Sequence, residues 1–197
     1  MPLKKTMELH RLGVKLFVED PSLVEIRDFI PIFHSWIQNQ VVENHLLVDV
    51  HDYSHVHMGP GILLVAHEGN FSMDLGENRL GLIYYRKQPI NGSLQQRIKT
   101  IFRTTLQGCR RLEEEPQLGG MQFKTDELLV MASDRLHAPN TEDTFQKIQP
   151  VLSQFLNQFL DGNDFTLTHR ADPKERFTVA VRTPHSMGTK ALLERLS

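Results

Sequence analysis

Apolar and polar residues alternate over positions 9–18, so that Leu12, Val14, Leu16 and Val18 share one face of a β-strand. Asp20-Pro21-Ser22 ends that strand and opens a helix to about residue 40, in which Leu23, Ile26, Ile30, Phe33 and Ile37 recur at helical spacing and Trp36 widens the stripe. Pro31 falls inside this pattern and predicts a kink, or a split into two shorter helices. Leu46, Val48 and Val50 form the inward face of a second strand. Residues 62–66 are apolar without a break and read as a central strand covered on both faces. A fourth strand spans 80–85.

Asn91-Gly92-Ser93 then starts a long helix with Leu94, Ile98, Ile101, Thr105, Cys109 and Leu112 along one stripe. Phe123 begins a hairpin that turns at Asp126-Glu127 into a strand over 128–132. A helix over about 141–160 follows, then strands over 165–170 and 177–182 across a turn at Asp172-Pro173, and a short helix over 189–196. The expected class is α+β: one domain over 1–197, with a mostly antiparallel or mixed sheet and helices packed on one face.

The order strand, helix, strand, strand occurs twice. Each of the two helices also carries proline before two apolar residues, two less apolar ones and an aromatic-aliphatic pair: Pro31 to Ile37, and Pro150 to Leu156. This points to an internal duplication of units at about 9–68 and 121–183, with a strand and helix at 79–115 inserted between them. The comparison isolates one difference. Where the second unit has the short turn Ala171-Asp172-Pro173-Lys174-Glu175, the first has the longer His51-Asp52-Tyr53-Ser54-His55-Val56-His57-Met58-Gly59-Pro60-Gly61. Elongated loops carry function more often than stability.

Composition narrows the classes. With 40% hydrophobic and 23% charged residues the chain is ordinary for a globular protein. A net charge of -2 argues against broad binding to nucleic acid or an anionic membrane. No apolar run approaches the length of a membrane span. The single cysteine, Cys109, sits on an apolar stripe, which suits a buried thiol in a cytoplasmic protein.

Five of the ten histidines fall between His45 and His67. His55 and His57 lie on the same side of an extended segment, and with His67 they form a candidate divalent-metal site, Asp52 or Glu68 completing it. His67 and Glu68, at the end of an apolar strand, are the candidate acid/base pair of a hydrolase-like enzyme. Asp52, Tyr53, His55 and Asp74 are candidates to contact a small ligand or a protein partner in the 51–74 region. No Cys-x-x-Cys, His-Glu-x-x-His, Gly-x-Ser-x-Gly or phosphate-loop motif is present to name a reaction. Three readings follow: a binding protein acting through 51–74, a metal-dependent enzyme, and a structural homodimer joined through sheet edges or the Trp36 helix.

The segments Asp52-Tyr53-Ser54-His55-Val56, Gly59-Pro60-Gly61, His67-Glu68, Leu80-Gly81-Leu82-Ile83-Tyr84, Arg86-Lys87 and Ala138-Pro139-Asn140-Thr141 resemble a family of uncharacterised bacterial proteins of about this length. The resemblance spans nearly the whole chain. It implies a cytoplasmic bacterial protein and carries no activity or site residue with it.

Overall fold

The computed structural model describes residues 9–172 and 174–196. One eight-stranded sheet, antiparallel at each strand pair, carries helices on one of its faces. In chain order the elements are β1 (Leu12–Val18), α1 (Phe29–Asn39), β2 (Leu47–Tyr53), β3 (Gly61–Ala66), β4 (Gly69–Asp74), β5 (Gly81–Arg86), α2 (Leu94–Glu113), β6 (Phe123–Ala132), α3 (Glu142–Phe159), β7 (Thr166–His169), β8 (Phe177–Arg182) and α4 (Thr189–Glu194). The sheet order is β2-β3-β4-β5-β1-β6-β8-β7. The α+β class with helices on one face is as expected.

The helix-covered face holds the main core. Leu12, Val14, Leu16 and Val18 point into it from β1, as their alternation predicts, and meet Phe71, Leu82, Tyr84, Val130 and Val179 from neighbouring strands. From the helices come Phe29, Ile32, Phe33 and Trp36 of α1, Ile98, Ile101, Phe102 and Cys109 of α2, and Leu152, Phe155 and Phe159 of α3. Trp36 is wholly inside, edge-on to Phe71 at 6.0 Å, so α1 has no tryptophan to offer a second copy of the chain. The long helix starts where Ser93 predicts, in a capping box with Gln96.

Several expectations change. Pro31 does not kink a helix; it is the third residue of α1, where its missing N–H has no partner to lose, and the chain before it makes two 3₁₀ turns instead. Pro150 is different, an interior residue of α3. In β2 the pairing slips between Leu47 and Asp49, which turns Leu47 and Val50 toward the core. Leu46 and Val48 are left 59% and 56% exposed. β3 lies next to the edge strand rather than at the centre, with Leu63 and Val65 only half covered on the second face. The hairpin at Asp126-Glu127 is one continuous strand, β6, bent where its register with β1 shifts between Leu16 and Val18.

β4 is a strand that the alternation of the sequence does not announce. Phe71 and Met73 face the core and Asn70, Ser72 and Asp74 the other side. Its presence alters the pairing pattern. β5 pairs β1 and β4 on one side of the centre, as β8 pairs β6 and β7 on the other. The hairpin β2–β3 lies beyond β4 and ends the sheet on that side.

Truncating Phe71 to alanine, which removes the ring packed at 4.7 Å from Tyr84 and 6.0 Å from Trp36, is expected to destabilise the fold by about 3–5 kcal/mol in urea titration.

Candidate functional site

Among the described residues no helix lies over the second face of the sheet, yet its centre is dry. Phe17, Ile83, Leu129, Met131 and Ala180 form a small apolar cluster there, joined by Tyr85. Loops cover it instead. The most important is the β4–β5 connection, which folds back over the strands and is held by a lysine from the strand below.

That lysine is Lys15, at the middle of β1 and on the opposite side from Val14 and Leu16. Its side chain is 2% exposed and that of Asp74 10%. The ammonium donates to Asp74 Oδ1 at 2.5 Å and faces the carbonyl oxygens of Asp74 at 3.3 Å, Gly76 at 3.0 Å and Arg79 at 3.0 Å. Asp74 Oδ1 also accepts the Gly76 N–H at 2.9 Å, so the carboxylate and the turn fix each other. Burial pushes the Lys15 pKa down, the Asp74 charge and hydrogen bond oppose this, and the charges of Arg176 and Arg79 add to the lowering. With four oxygens around three N–H donors, the ammonium is committed to holding the loop.

Arg79 completes the clasp. Its guanidinium stacks 3.6 Å from the centre of the Phe17 ring and gives a fork of hydrogen bonds to Glu127 at 3.1 and 3.0 Å. Glu127, on β6, also accepts Arg182 at 3.2 Å; these arginines, the Arg79 hydrogen bond foremost, hold its carboxyl below the usual range. Glu77 at the loop tip pairs with Arg170, just past β7.

Between this loop and the segments Ser133-Asp134-Arg135-Leu136 and Glu175-Arg176 lies an open cleft of about 650 Å³. Lys15, Leu129, Met131 and Thr178 make its floor. A second hollow of about 250 Å³ adjoins it over β3, β4 and β5 and shares Met58, Asp74 and Arg176 with it. Tyr85 lines this smaller lobe. Its ring lies across β1 at Gly13, where a Cβ would come within 2.5 Å of the ring, so the sheet has room for the tyrosine only because residue 13 is glycine.

The histidine-bearing loop reaches this cleft without its histidines. It is built from successive turns, Val56 N–H to Tyr53 O and Gly59 N–H to Val56 O, both at 2.9 Å, and Leu75 N–H ties it to the β4–β5 connection through Gly59 O at 3.3 Å. Gly61 closes it at φ +63°, with Met73 O where a Cβ would sit. The residue brought over the cleft is Met58; His55 and His57 are exposed. His67 follows the far end of β3, about 20 Å away along a six-residue strand, so the expected His55, His57, His67 cluster does not assemble. Among the described residues no three His, Cys, Asp or Glu side chains are placed to hold a metal ion.

The other named candidates separate too. Asp52 accepts the Ser54 N–H at 2.8 Å and faces Arg27 at 3.3 Å; the Ser54 contacts lower its pKa most. Tyr53 is exposed on the edge strand between His51 and His55, with ring centres 6.1 and 6.4 Å away. Of the four residues expected to contact a ligand, Asp74 lines the cleft.

At the far end of β3, Glu68 accepts the Leu46 N–H at 2.8 Å and His67 N–H bonds Leu46 O at 2.9 Å. The histidine engaged there is His45. It is half-buried, with Nδ1 2.9 Å from Glu43 O and Nε2 2.6 Å from the Tyr84 hydroxyl. A carbonyl can only accept, so Nδ1 carries the proton and Nε2 accepts from Tyr84. Burial, with Arg86 assisting, lowers the His45 pKa, opposed by Glu43 and Glu68. Cys109 is fully buried and burial raises its pKa well above the usual value, as befits a packing residue.

No protein-family model matches the chain, and no curated protein matches it significantly. Among the described residues no helix is long and apolar enough to cross a membrane.

Replacing Lys15 by methionine leaves Asp74 buried without its counterion, and is expected to cost about 3–5 kcal/mol in urea titration. The double variant Lys15→Met with Asp74→Asn should recover part of that loss. A double variant as unstable as Lys15→Met alone would show that the pair is not the main holder of the loop.

His45 gives a separate dependence on pH. Its folded-state pKa lies below the 6.5 of an unperturbed imidazole, so the unfolded chain takes up the proton first as pH falls. Stability contributed by neutral His45 is complete above 6.5 and declines from there down to the folded value. Thermal melting should therefore fall across that window more steeply in the native chain than in His45→Gln.

Proposed function

We propose that this chain is a binding protein whose ligand, a small organic molecule, lies in the cleft on the helix-free face of the sheet. One observation carries the reading. A concavity of about 650 Å³ has Leu129 and Met131 of the loop-covered apolar cluster in its floor beside Lys15 and Thr178, and charged and hydroxyl side chains converge on its walls. That volume is within the range of sites for small molecules. The region named from sequence contributes through Met58 and Asp74.

Binding fits the chemistry better than a reaction. The most buried ionisable group of the cleft, Lys15, is fully engaged in holding the β4–β5 loop. The hydroxyls of Ser133 and Thr178 have no histidine beside them in the lining. A cytoplasmic location is part of the same proposal, favoured by the lone, wholly buried cysteine.

The test is a methyl-resolved NMR screen of mixed small metabolites. Shifts are expected at Met58, Leu129, Met131 and Leu136, and Ser133→Trp, which sets an indole into the cleft wall, should weaken any hit by about tenfold or more. Shifts confined to the helix face, or to the end of β3 around His45 and His67, would overturn the reading.

A further inference from the structure

The cleft lining carries four acids and four bases, and not all of them are paired with one another. Of the four acids in its lining, Asp74 is matched with Lys15, Glu77 with Arg170, and Asp134 with His137 at 2.9 Å, while Glu175 makes no ion pair among the described residues and its charge acts on Arg170. Arg11 and Arg176, at the end nearest Tyr85, have no acid partner among the described residues. Arg176 lies 5.8 Å from the centre of the Tyr85 ring. Both arginine charges act on the Tyr85 hydroxyl, which is enclosed beside Ser133 and makes no hydrogen bond of ordinary geometry. A buried hydroxyl left in this way is uncommon in a native protein and needs a partner.

The lining also supplies apolar surface. Leu136 is 93% exposed and Met58 46% exposed, both on the cleft, while Leu63 and Ile83 line the adjoining hollow. Guanidinium groups recognise carboxylate and phosphate through paired N–H donors, and a tyrosine hydroxyl can add a third. Resting on the cleft reading above, we infer that the ligand is an organic anion with an apolar body. Arg11 and Arg176 take its anionic head, the Tyr85 hydroxyl donates to the same head, and its body lies along Met58 and Leu136.

Three eight-carbon probes that differ in their heads test this: octanoate, octanol and octylammonium, each titrated into the labelled full-length protein and followed by amide shifts. Octanoate is expected to move the amides of Met58, Ser133, Leu136 and Arg176 and to bind at least about tenfold more tightly than octanol, the span of one charge-assisted hydrogen bond. Arg176→Gln and Arg11→Gln should each reduce octanoate to the level of octanol while leaving octanol unchanged. Tyr85→Phe should weaken octanoate alone. Octanol or octylammonium binding in the cleft as tightly as octanoate, or octanoate binding unaffected by both arginine variants, would overturn the anion while leaving the cleft as a binding site. Silence of the cleft amides toward all three probes, with the metabolite screen also silent there, would overturn both.

Discussion

A single buried ammonium sets the form of the helix-free face. Lys15 is placed at the centre of the sheet, where an aliphatic residue would ordinarily stand, and its charge can be kept there only by bringing oxygen atoms to it. The β4–β5 loop supplies them, three carbonyls and the Asp74 carboxylate. Once the loop is drawn in, Arg79 can stack on Phe17 and reach Glu127, and Glu77 can meet Arg170 across the face. The cost of burying a cation is offset by a network that no apolar residue at position 15 could organise.

This arrangement solves a problem common to sheets with helices on one side only. The uncovered face must be polar, or it must be protected. Here the middle strands carry Phe17, Ile83, Leu129 and Met131 outward, and loops in place of a second helical layer exclude water from them. Loops leave gaps that packed helices do not, and the cleft is one of these. Its polar walls are the loop ends themselves, so the device that keeps the sheet dry also brings Arg11, Ser133 and Arg176 to one end of the same hollow.

Much of the fold was legible because burial on the helix side imposes a strict period. The stripe Leu94, Ile98, Ile101, Thr105, Cys109, Leu112 and the alternation through β1 read directly. Where one residue breaks the period, the pattern misleads: the irregular pairing at Val48 turns Leu46 and Val48 outward while Val50 keeps its inward face, and the bend in β6 mimics a turn. The polar side of β4 disguised a strand that Phe71 and Met73 mark clearly. The site was harder. Histidine crowding drew attention to 45–67, but proximity in sequence along β3 places His57 and His67 at opposite ends of a strand. Lys15 gave no signal, being one polar residue on the alternate face of an apolar strand, and Arg11, Tyr85, Ser133 and Arg176 come from four separate segments that only the sheet order brings together.

The contact between Gly13 and Tyr85 reaches beyond this molecule. Because the ring occupies the space of a missing side chain on the neighbouring strand, the two positions are not free to drift apart through evolution. A lineage that acquires any larger residue at 13 must surrender the aromatic at 85, and with it the hydroxyl at the end of the cleft. A glycine two residues before a strand lysine, joined to an aromatic eleven residues after an aspartate that closes an earlier strand, is thus a signature by which distant chains with the same pocket can be picked out when overall similarity has faded.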